Sequence, residues 1–139
     1  MCLALYLFTN KKIEEKEFDK ENPYMHIRII TERERGVLTW AVGNENVYYI
    51  GSSQKCGCGW RKWEEWDNEA EQSEKQKDRD SLFKLLTELK LSTSHLIICW
   101  EGDQGEDLEK EELLDVAKLK DITFELEECV DYILKYESD

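Results

Sequence analysis

The apolar residues of this chain come in short runs separated by long charged stretches, and that pattern limits the folds open to it. Cys2 to Phe8 is almost unbroken apolar sequence, too short for a helix and suited to a buried strand. Asn22-Pro23 marks a turn, after which Met25 to Ile30 alternates as a second strand does. Gly43-Asn44-Glu45-Asn46 reads as a turn into Val47-Tyr48-Tyr49-Ile50-Gly51, whose β-branched and aromatic residues favour extended backbone. His95 to Trp100 and Ile122 to Leu126 add two more strands.

Between these runs the period changes. Leu82, Leu85, Leu86 and Leu89 share one helical face, with Asp80 placed to cap the helix. Asp107 is placed to cap a second helix carrying Leu108, Leu113, Leu114 and Ala117, with Lys118 and Lys120 near its end. Residues 31–40 fit a helical turn or a short strand, and residues 129–136 fit either class. From Val47 the order is strand, helix, strand, helix, strand, which favours parallel pairing through right-handed crossovers. The expected architecture is a single α/β domain over residues 1–139, with a mixed, largely parallel sheet of about five strands and two or three helices. Residues 60–79 are mostly polar and read as an exposed, mobile segment.

A length of 139 residues suits one domain, and 40% hydrophobic with 11% aromatic residues is enough to bury a core. The formal charge is −13, and residues 101–139 alone hold fifteen Asp and Glu against four Lys, or −11. Phosphate-binding surfaces need clustered cations, so this balance argues against nucleic acid or an anionic membrane as partner. No apolar stretch approaches the roughly 18 residues that span a bilayer. Lys11 and Lys12 follow the first apolar run instead of preceding it, the reverse of a secretory signal. A cytoplasmic protein with a protein or small-molecule partner is the expectation.

Five cysteines with no export signal are expected as free thiols, and only Cys56 and Cys58 form a close pair. Cys2, Cys99 and Cys129 lie in mostly apolar runs and read as packing residues. In a parallel sheet, ligands gather where the carboxyl ends of the strands open. That rule pairs the loop from Gly51 to Trp60, which holds Cys56-Gly57-Cys58-Gly59, with the loop from Glu101 to Asp107. Two thiolates there are suited to a soft ion such as zinc, with Cys99 or His95 completing the shell and Glu101 and Asp103 nearby. The same thiols are also spaced for a strained, easily reduced disulfide. Equally, the glycines can shape a tight turn while the cysteines pack under Trp60.

The acidic loop carries residue types that hold a hard cation such as magnesium, though without EF-hand spacing. The charge of residues 101–139 as a whole reads as a solvated surface or as the face that meets a basic partner. His26 and His95 sit in apolar strand patterns and read as structural. No Ser-His-Asp arrangement, Walker loop or dinucleotide fingerprint is present.

Val47-Tyr48-Tyr49-Ile50-Gly51-Ser52, Cys56-Gly57-Cys58-Gly59-Trp60 and Cys99-Trp100-Glu101-Gly102-Asp103 together resemble a family of small uncharacterised bacterial proteins. That resemblance implies no activity, only that the two loops belong to one pattern. Val47 to Ser53 followed by Arg61 is similar to the second half of a GIY-YIG nuclease motif, with Gly36-Val37-Leu38 upstream. Leu38 stands where that motif has its first tyrosine, and Arg61 comes late. The leading functional expectation is a thiol-based metal or redox site at Cys56 and Cys58. The alternative is a non-enzymatic module presenting its acidic C-terminal third to a basic partner.

Overall fold

The computed structural model describes residues 2–17, 25–38, 40, 46–52, 57–61, 68–89 and 94–136. The elements are β1 (Leu3–Thr9), β2 (His26–Ile29), α1 (Glu32–Val37), β3 (Asn46–Gly51), α2 (Glu69–Leu89), β4 (Ser94–Trp100), β5 (Lys110–Asp115) and β6 (Val130–Lys135). Short 3-10 helices cover Gly57–Trp60 and Val116–Lys120. One six-stranded sheet runs in the order β2-β3-β1-β4-β6-β5.

β1 is the centre of the sheet. It pairs antiparallel with β3 on one side and with β4 on the other. All seven of its residues are buried, because a central strand has neither face in solvent. Alternation sorts them: Leu3, Leu5 and Leu7 enter one core with Trp60, Leu82, Leu86 and Tyr132, and Ala4, Tyr6 and Phe8 enter another with Trp40, Tyr49, Ile97 and Cys99. Full burial of each of the three leucines is worth about 1.5–3 kcal/mol.

α2 covers the leucine face. The Asn68 Oδ1 accepts from the Glu71 amide at 2.8 Å, so the helix starts eleven residues before Asp80, the cap expected from sequence. Leu82 and Leu86 are fully buried and Leu85 and Leu89 flank them, as the spacing predicts. The stretch expected to be polar, exposed and mobile is helical from Glu69. Lys75, Asp78 and Arg79 on it are buried. On the opposite face lie Trp40 and the loop after β4, and Glu34 of α1 accepts from the Tyr6 hydroxyl there. α1 starts with a capping box, in which Thr31 and Glu34 satisfy each other's backbone amides.

Three expectations fail for physical reasons. The sheet is mixed but not largely parallel: of the strand pairs among the described residues only β5 and β6 are parallel, besides a single Ile98–Glu128 bridge, because β1 lies between β3 and β4 and reverses both. The helix expected from Asp107 is strand β5 followed by the 3-10 helix, which Asp115 caps by accepting from the Ala117 amide at 3.0 Å. The strand expected over 122–126 is a turn. Its Leu126 is buried, but its carbonyls are taken by side chains instead of by a ladder. Residues 129–136 resolve as β6 and residues 31–40 as the short α1. The turn at Asn22-Pro23, residues 43–45 and residues 53–56, including Cys56, lie outside the described residues.

No helix of the described residues is long and apolar enough to cross a membrane.

Candidate functional site: an acidic recess at one end of the sheet

β3 and β4 both run antiparallel to β1, so their carboxyl ends emerge at the same end of the sheet, separated by one strand. The two loops singled out from sequence therefore do leave together. They then part to opposite faces. Gly57–Trp60 crosses the leucine face: the Cys58 sulfur accepts from the Leu3 amide at 3.4 Å, and Trp60 Nε1 donates to the Ile50 carbonyl at 3.1 Å. The loop after β4 crosses the tyrosine face: Trp40 Nε1 donates to the Glu106 carbonyl at 2.6 Å, and Gln104 Nε2 donates to the Tyr6 hydroxyl at 3.1 Å.

Cys58 packs against the leucine core, while Cys99 is sealed in the tyrosine core. The sheet separates them, so the two do not share a coordination shell. His95 is on the Cys99 side, four residues along the same strand, or about 13 Å away. Its Nδ1 is 2.7 Å from Asp131 Oδ1 on β6, a pair that sequence spacing could not show because the two lie 36 positions apart. Burial pushes the Cys99 thiol up to about 12, with Cys129, Asp103 and Glu101 adding to the effect. Such a thiol stays protonated and is a poor nucleophile. Among the described residues no three or more His, Cys, Asp or Glu side chains meet in a metal-binding arrangement.

The glycines of the Cys-Gly-Cys-Gly run have their own explanation. A Cβ on Gly57 would lie 2.6 Å from the Leu3 carbonyl oxygen, and one on Gly59 would strike Ser52 Oγ and Asp78 Oδ2. The Ser52 hydroxyl accepts from the Gly59 amide at 3.1 Å. Close approach of the 3-10 helix to β1, β3 and α2 thus dictates both residues.

At the same end of the sheet the chain forms a recess of about 770 Å³, lined by Asp103, Glu106, Asp107, Glu109, Lys110, Glu125, Glu127, Glu128 and Cys129. One wall is the run from the β4 loop into β5; the other is the approach to β6. Asp103 was singled out from sequence and lies in it; Glu101 is exposed beside it, its amide donating to the Cys2 carbonyl at 2.8 Å. Glu125, Glu127, Glu128 and Lys110 were not singled out. Their only signal was the density of acids around Glu125 to Glu128.

Two buried guanidinium groups fix the second wall. Arg79, with no exposed surface, donates to the carbonyls of Trp60 (2.7 Å), Leu119 (3.1 Å), Asp121 (3.2 Å) and Phe124 (2.6 Å). Arg61 donates to the Leu126 carbonyl and, at 2.7 Å, to Glu128 Oε1. No ladder partner among the described residues reaches the Phe124 and Leu126 carbonyls, so without their arginine donors these would be left unpaired, at a cost of about 1–3 kcal/mol for a buried group. The planar fork of an arginine suits this task.

Charge in the recess is only partly balanced. Arg61 holds the Glu128 carboxyl below the usual range by hydrogen bonding, against a smaller opposing effect of burial. Lys110 Nζ lies 3.2 Å from Glu127, which raises its affinity for a proton. Among the described residues no ion pair reaches Asp103, Glu106, Asp107 or Glu109. Burial and then Asp103, Glu109 and Glu106 push the Cys129 thiol up, so it also stays protonated. Cys129 has φ 58°, a left-handed conformation rare outside glycine. Its amide donates to Ile98 and its carbonyl accepts from Glu109, which joins the two walls at the floor.

Comparison with family models, with curated proteins and with solved structures returns no match.

Proposed function

We propose that this chain is a non-enzymatic binding module whose recess receives a basic segment of a partner protein. The observation that carries this reading is the convergence of seven carboxylates with one lysine on a single concavity, on a chain of net charge −13. Four of those carboxylates lie without an ion pair among the described residues, so their charge is available to a cationic ligand. Fixed walls favour the same reading, because a preorganised surface loses less entropy on binding. The thiol-based reading at Cys56 and Cys58, with zinc or a disulfide, has less support: Cys99 and His95 lie across the sheet from Cys58.

Fluorescence anisotropy of a labelled Lys-rich peptide tests the proposal. Wild-type protein binds it, and affinity falls as ionic strength rises from about 0.01 to 0.15 M and the Debye length shrinks from about 30 to 8 Å. Glu106→Lys, Asp107→Lys and Glu109→Lys in combination weaken binding by about tenfold or more. Equal affinity of wild type and the triple variant would discard the recess as the binding surface.

A further inference from the structure

β5 is one margin of the described sheet, and among the described residues its only strand neighbour is β6. The two margins differ. At the other one, Lys16 exchanges two 2.8 Å backbone hydrogen bonds with Ile27 of β2, so that edge is partly covered by the chain itself. Among the described residues nothing pairs with the outer side of β5. Lys110, Glu111, Glu112 and Leu113 are exposed, and Leu113 keeps 71% of its surface in solvent. An open edge presents unpaired N–H and C=O groups, a template for another strand.

We propose that the outer edge of β5 takes an extended, basic segment of the partner protein as a seventh strand. This rests on the recess being a cation-binding surface and names the form in which the cations arrive. Charge selects the occupant. A second copy of this chain would bring a strand of net charge −2, from Glu111, Glu112 and Asp115 against Lys110, on a chain of −13 up to its like, which charge repulsion opposes. The same three acids attract lysines and arginines. Strand alternation puts Glu111, Leu113 and Asp115 on one face and Lys110, Glu112 and Leu114 on the other. The matching segment therefore carries cation, apolar residue, cation at alternate positions, with the apolar side chain over Leu113.

Position agrees with charge. The amino end of β5 opens into the recess, of which Glu109 and Lys110 are both lining residues. Lys110 is engaged by Glu127 and does not repel an incoming cation as a lone charge would. A segment following β5 past Lys110 thus continues between Glu106, Asp107 and Glu109. Backbone pairing supplies affinity along six residues, about 20 Å, and the alternate side chains supply selectivity.

The test uses the whole chain and three labelled peptides of one sequence, Ser-Lys-Ser-Val-Ser-Lys-Ser, in which lysine, valine and lysine share one strand face. One is unmodified, one carries N-methyl groups on every second residue and so keeps one edge free, and one is N-methylated on every residue and has neither edge free. An added strand needs one free edge, so the fully methylated peptide binds at least tenfold more weakly than the half-methylated one, which matches the unmodified peptide. Leu113→Lys, at an exposed position, weakens the unmodified peptide without changing the unfolding midpoint. Equal binding of the two methylated peptides overturns strand addition while leaving the recess as an electrostatic site. No binding by any of the three overturns both readings.

Discussion

At Glu34 one carboxylate accepts four hydrogen bonds from three residues. It accepts from Arg28 at 2.6 and 3.3 Å, from the Thr31 amide at 2.9 Å and from the Tyr6 hydroxyl at 3.0 Å. Burial alone would raise its affinity for a proton, but Arg28, the Thr31 amide and Tyr6 outweigh burial and hold the carboxyl below its ordinary value. Its folded-state value is thus lower than its unfolded one. The stability it contributes is complete above the ordinary Glu range and is lost as pH falls through the folded value. Glu34→Gln is expected to cost about 1–2 kcal/mol at neutral pH and to flatten the acid limb of a stability–pH curve measured by urea unfolding. An unchanged acid limb would assign that slope to other carboxylates. None of this was legible in sequence beyond the capping pattern of Thr31 and Glu34, since Tyr6 and Arg28 arrive from other strands. Likewise the spacing of Cys56 and Cys58 invited a ligand, whereas Gly57 and Gly59 answer to close packing.

Period was a sound guide for whole elements where apolar residues outnumber charges. β1, β2, β3 and β4 lie where alternation and β-branched content put them, and the leucines of α2 face the core. β5 misled for a reason visible in its residues: Lys110, Glu111, Glu112, Leu113 and Leu114 are all good helix formers. A strand at a sheet margin needs only one buried side chain, and Leu114 is that one. The adjacent leucines accordingly differ in energy. Leu114→Ala is expected to destabilise by about 2–4 kcal/mol and Leu113→Ala by less than about 0.5 kcal/mol. Comparable losses at both, in paired chemical denaturation curves, would contradict the strand.

Across the whole molecule, the sequence carried the class, α and β elements around one sheet, but not the order of the strands. Reversal of direction at β1 depends on which runs pair, and pairing over some ninety residues leaves no local trace. The charge distribution was legible in amount and in segment, but its convergence into a recess required the turn that Arg61 and Arg79 hold. That charge also acts on the fold itself. With −13 on the chain and −11 of it in residues 101–139, self-repulsion opposes the compact state. Raising ionic strength from about 0.01 to 0.15 M is expected to stabilise the protein by about 1 kcal/mol, seen as a higher Tm. A Tm that falls with salt would mean that surface ion pairs outweigh the repulsion.

The central place of β1 also sets an order in time. Leu3–Thr9 are made well before both strands that flank them, and the second, Ser94–Trp100, follows by about ninety residues. At roughly 5–20 residues per second, a ribosome leaves the most apolar strand of the sheet without one neighbour for about 5–20 s. During that interval Leu-Ala-Leu-Tyr-Leu-Phe-Thr is an uncharged, β-prone segment with nothing to pair with, the kind that nascent-chain chaperones cover. The strand that anchors the finished sheet is thus the one whose synthesis most exposes the chain to aggregation.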